Sequence, residues 1–174
     1  MKHIVICGRR GVGKSTLIRR LLDENRRPVR GFVTRKEPMN EEGLCGVHIY
    51  PAANDFRIAK DENRVGFCLG RILSVNADVF DLLGSAYLEA DNGEIIVMDE
   101  LGIMETHAER FQRAVMRALD GEIPIIAAVK ARCDAEFLNA VRDHPNARVY
   151  EITEENREEL YEALLPVIRE WNRM

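Results

Sequence analysis

Apolar residues along this chain fall into two kinds of segment. Short apolar runs occur at 3–7 (His-Ile-Val-Ile-Cys), 94–98 and 123–129, and a last strand is expected at 148–152. Runs of that length, bounded by Gly, Pro or charged residues, read as strands buried on both faces. Between them lie spaced stripes. Leu17, Ile18, Leu21 and Leu22 share one face of a helix from Lys14 to about Glu24, ended by Asn25 and Pro28. Val79, Leu82, Leu83 and Leu88 mark a second helix over 76–90, and Ala108, Phe111, Val115 and Leu119 a third over 106–119. A short helix is expected at 135–141. Thr153 is placed to cap a last helix reaching Trp171, which Pro166 should kink.

Strands alternating with helices at this spacing predict an α/β fold with a mainly parallel sheet. One stretch breaks the rhythm. Gly31-Phe-Val-Thr34 reads as a strand, Asn40-Glu-Glu-Gly43 as a turn and Gly46–Tyr50 as a returning strand, while 51–66 has no period and reads as loop. We therefore expect one three-layer domain over residues 1–174, with a small antiparallel hairpin insertion at about 31–71.

The first apolar run leads straight into Gly8-Arg9-Arg10-Gly11-Val12-Gly13-Lys14-Ser15-Thr16. This matches G-x-x-x-x-G-K-[ST], with a strand before it and an amphipathic helix after it, the context a phosphate-binding loop requires. Glycines let the chain turn so that the amides of residues 9–15 point at phosphate oxygens, and the helix N-terminus adds partial positive charge. Lys14 is expected at the β- and γ-phosphates, assisting catalysis, and Ser15 at Mg²⁺. Arg9 and Arg10 occupy variable positions, and their side chains are expected in solvent.

A second motif ends the run at 95–98. Asp99 and Glu100 close an apolar strand, the Walker B pattern. Asp99 would hold Mg²⁺ through water and Glu100 would orient or deprotonate the attacking water. Successive strand residues face opposite sides, so the two acids are expected to act differently. Asp99-Glu-Leu-Gly102 also fits the D-x-x-G of GTPases, but no Asn-Lys-x-Asp follows to read guanine.

With both motifs placed, the chain resembles the small cancer-related nucleoside-triphosphatases and their thermophilic microbial relatives. The matching pieces are Gly8–Thr16, Gly31-Phe-Val-Thr34, Asp99-Glu-Leu-Gly-Ile-Met-Glu105 with Phe111, and Thr153-Glu-Glu-Asn156-Arg157. The resemblance implies a RecA-like P-loop fold, with one strand between those at 3–7 and 95–99, for which the strand at 123–129 is our choice. It implies slow Mg²⁺-dependent hydrolysis of ATP, GTP and other nucleotides to diphosphate and phosphate, with poor base selectivity. It suggests that Glu105 faces the site, although a first-turn acid favouring the helix dipole explains it equally. Asn156 and Arg157 follow the last strand, where some P-loop proteins touch the base. Two departures stand out: Ile103 where the family usually has Lys, and Arg35-Lys-Glu-Pro-Met39 where it usually has a Glu and Arg pattern.

Charge adds one complication. Residues 1–36 carry +9, leaving −13 for the rest of a chain whose net charge is −4. A basic segment suits a polyphosphate, and it would also suit RNA through Arg19, Arg20, Arg26, Arg27 and Arg30. No aromatic residues interleave those arginines, which counts against single-strand stacking. A nucleotide-dependent RNA-binding module is thus one rival reading. A small-molecule or nucleotide kinase is the other, since it shares the loop and 31–71 holds Arg35, Arg57, Arg64 and Arg71. Lys130 or Arg132, after the strand at 123–129, would suit a γ-phosphate sensor. The four histidines form no ligand pattern. Cys7, Cys45, Cys68 and Cys133 lack C-x-x-C spacing and are expected as thiols in a cytoplasmic monomer. No apolar run is long enough to span a membrane.

Overall fold

The structure, a computed structural model, describes residues 3–53, 56–91, 93–131 and 135–174. One sheet of eight strands organises it, in the order β5-β4-β3-β2-β6-β7-β1-β8. β1 (His3–Gly8), β2 (Val29–Met39), β6 (Ile95–Leu101), β7 (Ile125–Lys130) and β8 (Ala147–Glu151) run parallel. β7 separates β1 from β6, as the resemblance implied.

Alternate residues of the central strands feed two cores. Val5, Cys7, Ile96 and Met98 pack with Phe111, Val115 and Leu119 of α4 (Glu109–Asp120) and with α5 (Glu136–Arg142). Ile4, Ile6, Ile95 and Val97 pack with Leu17, Ile18 and Leu21 of α1 (Lys14–Asp23) and with Leu164, Ile168 and Trp171 of α6 (Arg157–Trp171). Burial on both faces is why these strands read as unbroken apolar runs. α2 (Ala77–Val79) and α3 (Ser85–Glu89) join through a π-helical turn, Phe80–Gly84, where Phe80 meets Phe111 at 5.4 Å between ring centroids.

The insertion is larger than the hairpin read from the sequence. β3 (Cys45–Pro51) returns antiparallel to β2, and β4 (Arg64–Leu69) and β5 (Arg71–Val75) extend the sheet further in the same antiparallel manner. All five residues of β5 are exposed, so no burial alternation marks it, and glycines at 66 and 70 interrupt the pattern around β4. Two smaller departures follow from local bonding. A 3₁₀ turn, Ile103–Glu105, precedes α4, which starts later than the apolar stripe suggests. Asn156, not Thr153, is the first flanking residue of α6, and the Thr153 hydroxyl accepts the Asn156 N–H instead. α6 runs through Pro166 as one helix. No described helix is long and apolar enough to cross a membrane.

Candidate functional site

β1 delivers the phosphate-loop motif to the C-terminal edge of the parallel strands, where ligands of open α/β sheets gather. The turn needs Gly13, whose φ of 104° lies in the left-handed region before α1 begins. Val12 is buried in the core beneath the loop, and its N–H donates to the Arg9 carbonyl at 3.4 Å. Lys14 is only 3% exposed and its Nζ donates to the Gly8 and Arg9 carbonyls, each at 2.9 Å. The side chain of Arg9 is exposed, as is that of Arg10, which lines the neighbouring cavity, and Thr16 is exposed on the first turn of α1.

β6 brings the second motif alongside. Ser15 Oγ donates to Asp99 Oδ1 at 2.7 Å, and Arg35 Nη2 donates to Asp99 Oδ2 at 2.8 Å. Glu100 lies 3.5 Å from Lys14 Nζ. Asp99 and Glu100 therefore border one cavity, whereas simple strand alternation would part them. The β6–β7 ladder shifts register between Asp99 and Leu101, so the alternation does not carry through Glu100. Thr34 ties β2 to this corner: its hydroxyl accepts the Glu100 N–H at 3.3 Å.

Burial raises the Glu100 carboxyl above its ordinary range, with Lys14 pulling it down and Asp99 pushing it up. Glu105 lies behind it, 3% exposed, where its Oε2 accepts the Gly102 N–H at 2.9 Å. Burial above all pushes the Glu105 pKa up to about 7. It does border the cavity, but as a buried acid bracing the turn after β6 rather than as an exposed first-turn charge.

The cavity measures about 610 Å³. Ser15, Asp99 and Glu100 lie on its wall with Arg10, Lys36, Arg71 and Lys130, and Val47, Cys68, Ile72, Ile103 and Met104 make it partly apolar. Arg132 lies outside the described residues. A second cavity of about 670 Å³ lies between α4 and α5 and shares no lining residue with the first. Ser15 and Asp99 offer the hard oxygen donors that suit a divalent ion. Such an ion takes one or two protein oxygens and completes its shell from phosphate and water. Among the described residues no three His, Cys, Asp or Glu side chains cluster as a self-contained metal cage.

A family model described as NTPase matches residues 3–165. The chain belongs to this NTPase family. The resemblance read from the motifs is thereby borne out, and the protein is a nucleoside-triphosphatase by family. Its relatives include the nucleoside-triphosphatase THEP1 of Pyrococcus abyssi, 31% identical over 182 residues, covering 94% of this chain and 90% of that protein. THEP1 of Thermotoga petrophila is 31% identical over 172 residues, covering 95% and 92%. The crystal structure of THEP1 from the hyperthermophile Aquifex aeolicus superposes with a TM-score of 0.72 at 24% identity, covering 97% of this chain and 99% of that one. The solution structure of a human cancer-related nucleoside triphosphatase gives 0.67 at 23% identity, with 98% of each chain covered. At those identities the two structures speak for the fold.

In this NTPase, Asn156 and Arg157 part company. Asn156 braces the turn before α6: its Nδ2 donates to the Glu151 carbonyl at 2.9 Å and its Oδ1 accepts the Thr153 N–H at 2.8 Å. Arg157 reaches the loop, with Nε 3.4 Å from where a Cβ on Gly13 would stand. That Nε is buried with no hydrogen-bond partner among the described residues. Several arginines of the basic segment are committed to structure. Arg20 pairs with Glu158 and lies over the Tyr161 ring, and Arg27 pairs with Glu94. Arg35 is the site residue that sequence reasoning overlooked as a contact, because nothing in the local pattern says that β2 outruns its pairing with β6 beside Asp99.

Proposed function

We propose that this NTPase hydrolyses nucleoside triphosphates, ATP and GTP among them, to the diphosphate and phosphate in a Mg²⁺-dependent reaction, within one domain spanning the whole chain. The observation that carries the proposal is the 2.7 Å bond between Ser15 Oγ and Asp99, which joins two motifs 84 residues apart. The loop amides and Lys14 would hold the phosphates, and Ser15 and Asp99 would hold the metal, Asp99 through water. Mg²⁺ supplies neutralisation of phosphate charge when bound. Glu100 orients the attacking water and takes its proton, and a carboxyl pKa raised by burial makes it a better base. Arg157, whose Nε beside the loop has no partner among the described residues, serves the bound nucleotide, and Asn156 supports it from the turn. Little covalent chemistry is asked of the protein, so positioning and electrostatics do the catalysis.

Phosphate release from ATP, GTP, CTP and UTP, each with and without Mg²⁺, tests the proposal. Release from all four that depends on metal is the expected result. Metal-independent release, or none, refutes it. The cavity's size and its cations Arg10, Lys36, Arg71 and Lys130 favour a second reading, transfer of the γ-phosphoryl to an anionic acceptor. Assaying phosphorylated product beside free phosphate in the same reactions separates the two.

A further inference from the structure

Asp99 carries one negative charge on two oxygens, and both are in use. Oδ1 accepts the Ser15 hydroxyl and Oδ2 accepts Arg35 Nη2. The carboxylate is 2% exposed and Arg35 is 28% exposed, so one end of this ion pair is desolvated while the other opens on the cavity. The backbone explains how Arg35 comes to be there. β2 pairs with β6 as far as Val33, opposite Asp99, and then continues, held at Arg35 by pairing with His48 of β3. The Arg35 backbone is therefore fixed above the Asp99 carboxylate, and a long side chain spans the gap.

We propose that Arg35 serves the reaction from two positions: on Asp99 before the metal–nucleotide arrives, and on the terminal phosphoryl oxygens during hydrolysis. This rests on the hydrolysis reading above. A guanidinium and a divalent cation repel each other, so Arg35 competes with the metal for the buried Asp99 carboxylate. Its planar fork fits phosphate as well as carboxylate. A triphosphate brings several negative charges into the cavity that Arg35 lines, so the guanidinium exchanges one anionic partner for another. Once there, its donors stabilise the charge that builds on the transferring group. Before that, the pairing keeps Asp99 neutralised and in place.

In Arg35→Ala metal should bind more readily while hydrolysis slows. The Mg²⁺ concentration that half-saturates binding of a fluorescent, non-hydrolysable ATP analogue should fall by about threefold or more, because the competing cation is gone. The single-turnover hydrolysis rate at saturating metal should fall by about 10²–10³, the range for losing one donor to a developing oxyanion. Arg35→Lys keeps the charge but not the fork, so it should restore the wild-type metal requirement and recover only part of the rate. An unchanged or raised metal requirement in Arg35→Ala overturns the proposal, and so does an unchanged rate. Asp99→Asn in the same titration keeps the two hypotheses apart. If Asp99→Asn leaves the metal requirement unaltered, the hydrolysis reading of the site fails. If it raises the requirement while Arg35→Ala lowers nothing, only the role of Arg35 fails. Cooperative unfolding of each variant confirms that it is folded.

Discussion

Glu105→Gln should stabilise the protein in alkali and do little in acid. Glu105 is 3% exposed, and burial lifts its pKa from 4.5 to about 7. The folded state thus keeps a proton that the unfolded chain releases above its ordinary pKa. Stability contributed by this group is intact below about pH 4.5, declines as pH rises and levels off above about pH 7. A shift of about 2.5 units at about 1.4 kcal/mol per unit makes the ionised form cost about 3 kcal/mol at about pH 8.5. At about pH 5 the same linkage costs under about 1 kcal/mol. Gln cannot ionise, and its amide oxygen can still accept the Gly102 N–H that Glu105 accepts at 2.9 Å. The variant should therefore gain about 2–3 kcal/mol more at about pH 8.5 than at about pH 5, which is about 5–10 °C in Tm for a domain of this size. Thermal melts of both proteins at the two pH values measure it. An offset equal at both values, or one larger in acid, refutes the reasoning.

Three further variants test the site and its support. Lys14→Ala removes the amine held by the Gly8 and Arg9 carbonyls and should weaken ATP binding and hydrolysis while the fold survives; wild-type affinity in a calorimetric titration of the folded variant contradicts the role given to Lys14. Glu100→Gln should leave ATP affinity within about threefold and lower kcat by about 10²–10⁴, the pattern of an interaction made in the transition state; hydrolysis at the wild-type rate in a single turnover removes Glu100 from the mechanism. Phe111→Ala opens the core where the ring meets Phe32 at 5.1 Å and Phe80 at 5.4 Å, and should cost about 3–5 kcal/mol in urea unfolding. A loss of under about 1 kcal/mol would show that the neighbours collapse into the space.

The central part of the parallel sheet was legible because its strands are buried on both faces and its helices on one, whereas the edge strand β8 has no buried residue. Ile4 to Cys7, Ile95 to Met98 and the stripe of α4 all answer to that single rule. The phosphate loop and Asp99-Glu100 were legible because their chemistry needs fixed residue types at fixed spacing. β4 and β5 were not: glycines break one and exposure on both faces deprives the other of any pattern. The common orientation of Asp99 and Glu100 depends on a register shift that only pairing with β7 reveals. Glu105 and Arg35 were visible as charges, but their burial and partners come from segments distant in sequence. Thr153 and Asn156 show a subtler limit, since either side chain suits the start of a helix and a reciprocal bond between them decides which does.

β2 is hydrogen-bonded to β6 on one side and β3 on the other, so a single ribbon belongs both to the parallel sheet and to its antiparallel extension. Thr34 and Arg35, which touch the Glu100 amide and the Asp99 carboxylate, sit on that ribbon at the crossing. The loop, by contrast, hangs from β1, braced by β7 and β8 on the other side of the sheet. β7 lies between β6 and β1, so one strand joins the two walls of the site. Along the hydrogen-bonded order, the antiparallel strands reach the Walker B corner first, and β8 reaches β1 and its loop first. A change of length or sequence in the outer strands therefore meets the Asp99–Glu100 corner through β2 before it meets the Gly8–Ser15 loop.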